Sequence, residues 1–225
     1  MSLDDALGED RAARAGEHGW LIGRFVVPVG LLPQLPVEGL PLSVVLPGPE
    51  DAGLVSGVAG VEAVEMPLDG PRPRSSDLVD AHRELRPLGV EAYFELVLDE
   101  TWRDSVPAAI GAVAAVGGRV KIRCGGASIP SVEQLALVIA CCREAGVPFK
   151  ATAGLHHPVR RGAEHGFLNL LAATTAPQGR LEAVLGEEDP AALDYADADR
   201  ALFTSFGSCS WREPVDDLRA LGVLP

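Results

Sequence analysis

Residues 119–154 read RVKIRCGGASIPSVEQLALVIACCREAGVPFKATAG. The stretch is a strand, a helix and a second strand in one run. Arg119–Cys124 alternates apolar and charged residues, with Val120 and Ile122 on one face and Lys121 and Arg123 on the other, which is the period of a strand. Ser131 and Gln134 have capping-box spacing, and Val132, Leu135, Ala136, Ile139 and Ala140 then recur at helical spacing until Gly146. Pro148–Ala153 is strand-like again, with Lys150 and Thr152 opposite Phe149 and Ala151. Two strands joined by a helix in this order form a parallel unit.

The same alternation extends in both directions. Further strands are expected at Leu21–Pro28, Leu42–Leu46, Val61–Met66, Ala92–Leu98 and Leu202–Phe206. Helices are expected at Ser76–Leu88, Trp102–Val116, His165–Thr175, Leu181–Ala201 and Glu213–Leu221. An open dinucleotide-binding sheet would carry G-x-G-x-x-G after its first strand, where this chain has Val-Val-Pro-Val-Gly. The expectation is therefore an α/β fold, a (β/α) TIM-barrel-like domain over residues 1–225, with residues 1–18 as an N-terminal helical extension.

With 225 residues, 47% of them hydrophobic, the chain can bury a sizeable core in one such domain. Its formal charge of −13 argues against nucleic acid or an anionic membrane as partner. No signal peptide is visible, and the longest apolar stretch, Val106–Gly118, is too short to span a bilayer. Cys124, Cys141, Cys142 and Cys209 show no C-x-x-C spacing, which suggests reduced thiols in a cytoplasmic protein. Cys124 reads as a packing residue.

Charges on otherwise buried strands need a reason. Arg24, Glu65, Glu95, Lys121, Arg123 and Lys150 each lie on one strand face, and all are expected near the C-terminal end, where barrels carry their active sites. Four cations against two anions would favour an anionic metabolite. The plainer alternative is structural ion pairing, for example Glu95 with Lys121. Lys121 and Lys150 occupy equivalent positions of consecutive strands, and like charges brought close lower each other's pKa. A lysine so depressed is a nucleophile for carbonyl carbon. This makes Lys150 the candidate Schiff-base residue, Lys121 its pKa-lowering neighbour and Glu95 the proton carrier, with no cofactor required.

Gly125, Gly126, Gly207 and Ser208 follow strands and precede expected helices, a setting suited to binding an anion. Arg24, Glu65, Arg123, Thr152 and Asn169 complete the candidate binding set, with Asn169 placed to hold His165 or a substrate hydroxyl. His156, His157 and His165 fall within ten residues. They could serve as acid/base groups or, with Glu95 or Glu65, hold a metal for a lyase or isomerase reaction, although no standard metal motif is present. A non-catalytic anion-binding or scaffold role is the third reading, and a homo-oligomer or a partner chain remains open.

Two resemblances bear on these residues. Glu144-Ala-Gly-Val-Pro-Phe-Lys-Ala-Thr-Ala-Gly154 and Phe206-Gly-Ser-Cys-Ser210 resemble the Schiff-base strand and the phosphate loop of deoxyribose-phosphate aldolase-type class I aldolases. That resemblance implies Lys150 as nucleophile. It departs from the family in that Lys121-Ile-Arg-Cys-Gly-Gly126 comes before the Schiff-base strand, whereas the family's second lysine comes after it. Trp20-Leu-Ile-Gly-Arg-Phe-Val-Val-Pro28, Lys121–Gly126, Phe149–Pro158, His165-Gly-Phe-Leu-Asn169 and Phe206–Ser210 together resemble a family of uncharacterised bacterial proteins over most of the chain. Members of that family look to begin with an extra segment that this chain lacks, which implies a barrel incomplete or distorted at its N-terminus.

Overall fold

The structure, a computed structural model, describes residues 2–36, 39–126 and 129–225. Seven strands form one sheet in chain order: β1 Phe25–Pro28, β2 Leu42–Val45, β3 Val61–Pro67, β4 Glu91–Glu95, β5 Arg119–Arg123, β6 Phe149–Thr152 and β7 Phe203–Gly207. Every neighbouring pair is parallel. The sheet curls as in a (β/α) barrel but is incomplete, because among the described residues β7 and β1 do not pair.

The helices are α1 Leu3–Ala15, α2 Ser75–Leu85, α3 Trp102–Ala115, α4 Val132–Ala145, α5 Phe167–Ala173, α6 Leu181–Gly186 and α7 Arg212–Ala220. In α4 both bonds of the capping box form, Gln134 N–H to Ser131 Oγ at 3.2 Å and Ser131 N–H to Gln134 Oε1 at 2.7 Å. Gly146 ends the helix at φ 63°, a backbone angle that glycine adopts without strain. Leu135, Val138 and Ile139 are fully buried, each contributing about 1.5–3 kcal/mol relative to exposure.

The main core lies between the sheet and its helices. Val44, Val64, Phe94, Val120, Ile122, Phe149 and Ala151 face it from the strands. Alternation then turns Ser43, Glu65, Tyr93, Lys121 and Lys150 to the opposite, inner face. Outward residues thus supply stability, and the inner face carries the charges.

Several elements are shorter than the sequence suggests, β4 stopping at Glu95 and α5 spanning only Phe167–Ala173, and two of them show why. β1 begins only at Phe25, because Gly19–Leu21 forms a 3₁₀ turn and Arg14 donates to the carbonyls of Ile22 and Gly23. The helix expected over Leu181–Ala201 stops at Gly186. Beyond it, Asp189, Asp194 and Asp199 accept the backbone N–H groups of Ala191, Ala196 and Ala201, local bonds that compete with a helix ladder. The helical N-terminus docks on α7, with Glu9 accepting from Trp211 Nε1 and Arg212 Nε, and Glu17 accepting from Arg219.

Candidate functional site

Glu65 on β3 is the centre of the inner-face cluster. It is fully buried, and its carboxylate faces three groups from three other strands. Ser43 of β2 donates to Oε1 at 2.5 Å, Lys150 of β6 pairs with the same oxygen, and Lys121 of β5 lies 2.9 Å from Oε2. Lys121 also reaches Glu95 of β4 at 2.7 Å. Register explains the assembly, because Glu95 is opposite Lys121 and Lys121 is opposite Lys150. The Lys150 ammonium lies 5.0 Å from the Tyr93 ring centroid, within cation–π range. The Tyr93 hydroxyl is anchored below, donating to Glu91 at 3.1 Å and lying 3.0 Å from the Thr204 hydroxyl.

Burial acts on both lysines alike, but the outcome differs. It pushes the Lys150 amine down; Glu65 alone pulls it back, while Lys121 and Arg24 push it further, and the net value is below that of an ordinary lysine. Burial also pushes Lys121 down, but Glu65 and Glu95 together outweigh it and hold Lys121 above its ordinary value. For Glu65, burial favours the acid form, and the charges of Lys150 and Lys121 overcome it, leaving the carboxyl below the usual range. One carboxylate shared between two lysines leaves Lys150 the less compensated.

Several sequence expectations are relocated. Arg24 precedes β1 and lies at the opposite, N-terminal end of the strands, bound to Glu91 at 2.5 Å and Glu62 at 2.9 Å. The expected surplus of cations is correspondingly smaller. Lys121 and Lys150 are balanced by Glu65 and Glu95, and of the inner-face cations at this end only Arg123, exposed at the end of β5, makes no ion pair among the described residues. Thr152 ends β6, and the chain then turns through Ala153 at φ 61°, an uncommon angle for a residue with a Cβ. A Cβ on Gly125 would fall 2.7 Å from Gly154 Cα, so the two loops require glycine where they touch. Gly126 is separated from α4 by residues 127–131, and Ser131 already caps that helix, so the glycine pair does not sit on the helix end as expected. Gly207 and Ser208 lead into the turn before α7.

The three histidines do not converge. His156 Nδ1 lies 3.1 Å from Glu213, and His157 Nδ1 lies 2.7 Å from Asp217. His165 is buried; its Nε2–H donates to the Pro130 carbonyl at 2.7 Å, which leaves Nδ1 to accept from Arg160 at 3.1 Å. Burial, with Arg160 adding to it against the Pro130 bond, lowers its pKa and keeps it neutral. Asn169 holds backbone and not His165, accepting from Arg160 N–H and donating to the carbonyls of Val184 and Glu187. Among the described residues no group of three or more His, Cys, Asp or Glu side chains could hold a metal ion. Cys124 is buried, its thiol pushed up to about 12 by burial.

Two members of the cluster escaped the sequence reading. Ser43 was signalled only as a polar residue in the apolar run Leu42–Leu46, and Tyr93 only by sharing a face with Glu95.

No family model matches the chain, and no curated protein does. Among solved structures, the fold is similar to that of the N-terminal domain of a candidate aldolase from Bacteroides vulgatus, at a TM-score of 0.50 and 13% identity, covering 88% of this chain and 62% of that one. The chain thus spans less than two thirds of that domain. Deoxyribose phosphate aldolase from Aeropyrum pernix, a tetramer, aligns over 98% of this chain and all of its own at 16% identity and a TM-score of 0.47. The likeness to the Bacteroides vulgatus domain is one of fold. Among the described residues no helix is long and apolar enough to cross a membrane.

Proposed function

We propose that the protein is a class I aldolase-like lyase in which Lys150 forms a Schiff base with a small phosphorylated or carboxylated carbonyl compound. The observation that carries this reading is the asymmetry of the two lysines: Lys150 is buried, faces one carboxylate only, and is held below the ordinary lysine value. Neutral Lys150 attacks the carbonyl carbon and an N–C bond forms; one amine proton and one proton from solvent leave with the carbonyl oxygen as water, giving an iminium. The iminium draws the electrons of the bond between its α- and β-carbons, giving an enamine, while Glu95, the more exposed carboxylate of the chain Glu65–Lys121–Glu95, removes the proton of the β-hydroxyl as the departing fragment becomes a carbonyl. Protonation of the enamine and hydrolysis restore the amine. Arg123 and Ser208, at the C-terminal ends of β5 and β7, would take the anionic end of the substrate.

A second reading, a non-catalytic scaffold, is favoured by the charge balance of the cluster, since both lysines already have carboxylate partners. Reductive trapping separates the two. Protein is incubated with small aldehydes, ketones and sugar phosphates plus borohydride, and its intact mass is read. A substrate-sized adduct that maps to Lys150 and is absent in Lys150→Ala is the expected result. A panel that leaves no selective adduct on the folded wild type overturns the lyase reading in favour of the scaffold.

A further inference from the structure

Beyond the lysine cluster, one group of reactive side chains has no structural task that explains all of it. Cys209 follows β7 and is exposed. Its sulfur lies 3.8 Å from Nδ1 and 3.9 Å from Nε2 of His156, and His156 Nδ1 is in turn 3.1 Å from Glu213 Oε2. Ser208 Oγ lies 3.5 Å from the same Nδ1. A carboxylate on Nδ1 selects the tautomer with its proton there and leaves the Nε2 lone pair to accept one. The thiol lies 3.9 Å from that nitrogen, about as far as from Nδ1, and just ahead of α7, whose N-terminal end favours negative charge. The other three cysteines lack this setting: Cys124 and Cys142 are buried and Cys141 lies half-buried on α4.

We infer that Cys209, His156 and Glu213 form a second nucleophilic centre, in which a base-assisted thiol adds to the electrophilic carbon of small uncharged α,β-unsaturated carbonyl compounds. His156 Nε2 takes the S–H proton as the sulfur lone pair forms an S–C bond to the β-carbon. The C=C π bond breaks, and the α-carbon takes the proton back from His156, so that thiol plus alkene gives one saturated adduct with nothing left over. The exposed carboxylate of Glu213 beside His156 favours uncharged electrophiles over anionic ones. The inference does not depend on the chemistry proposed for Lys150.

Acrylamide, small and neutral, is the probe. Whole protein is treated across a pH series, and adduct formation is followed by intact mass and peptide mapping in wild type, His156→Gln, Glu213→Gln and Lys150→Ala. The expected adduct is on Cys209. At neutral pH, His156→Gln, which can still bond Glu213 but cannot take the thiol proton, slows labelling about tenfold or more. The two rates converge as the pH is raised, because hydroxide then takes the thiol proton in place of His156. Glu213→Gln gives a smaller loss, and Lys150→Ala leaves Cys209 labelling unchanged even if reductive trapping finds no Schiff base. Equal rates for wild type and His156→Gln at every pH, or labelling chiefly at Cys141, overturn the inference.

Discussion

The inner face of the sheet carries two ion clusters, one at each end of the same strands. At the N-terminal end Arg24 and Arg119 share Glu91, with Glu62 on the rim and the Tyr93 hydroxyl beside it. Toward the C-terminal end Lys121 and Lys150 share Glu65, with Glu95 nearer solvent. Both pair two cations with two carboxylates, so charge count does not distinguish them. Burial and residue type do. Glu91 is 29% exposed and Glu65 is fully buried, and arginine stays protonated in any such setting whereas lysine does not. In the N-terminal cluster both cations are arginines; in the C-terminal cluster one lysine, Lys150, is held below its ordinary value.

The sharpest way to break this comparison is to remove the shared carboxylate at the buried end. Glu65→Gln leaves the Lys150 ammonium without an anionic partner and Lys121 with Glu95 alone. Breaking a buried pair in this way costs about 3–5 kcal/mol. Chemical denaturation of the variant should show a loss of that size or outright failure to fold; a loss below about 1 kcal/mol, the value of an exposed pair, would mean that water reaches Glu65 and that the two ends are alike.

Acidification probes the same carboxylate without mutation. Glu65 has a folded-state pKa below its unfolded value, so its contribution is fully present above the unfolded carboxylate value and is lost as pH falls through the lowered folded one. Wild-type stability should therefore decline on the acid side of about pH 4.3, the ordinary glutamate value, and continue to fall well below it. Glu65→Gln should show a shallower acid limb. Parallel limbs for the two proteins would assign the acid sensitivity to other groups.

Much of this arrangement was legible in the sequence. Short β-type runs between helical patterns marked all seven strands, period-two spacing put Glu65, Glu95, Lys121 and Lys150 on their faces, and the equivalence of Lys121 and Lys150 followed from one β–α–β unit whose register the structure keeps. What alternation cannot supply is the partner chosen across strands. Glu65 was visible as a charged strand residue, but its capture of both lysines depends on how the sheet curls. Arg24 was assigned to the wrong end because local bonds from Arg14 and a 3₁₀ turn delay β1 until Phe25. The histidines looked like one group because they are close in the chain. The partners of His156 and His157, Glu213 and Asp217, lie on α7, more than fifty residues away, where sequence spacing carries no information about contact.

The smallest expected effect lies at the exposed end. Arg24→Ala removes the bonds to Glu62 and Glu91 but leaves Arg119 2.7 Å from Glu91, so that carboxylate is not orphaned. With Arg24 itself 29% exposed, screening limits each lost pair to about 0–1 kcal/mol. Denaturation should show a decrease of about 1 kcal/mol that shrinks as salt is raised toward 1 M, where the Debye length is about 3 Å. The variant should keep its Lys150 adduct in reductive trapping, since Arg24 acts on that amine only as a distant like charge and its loss relieves one of the influences holding the amine down. A decrease as large as that of Glu65→Gln and insensitive to salt would place Arg24 in a dry interior, and the division of the inner face into an exposed end and a buried end would fail.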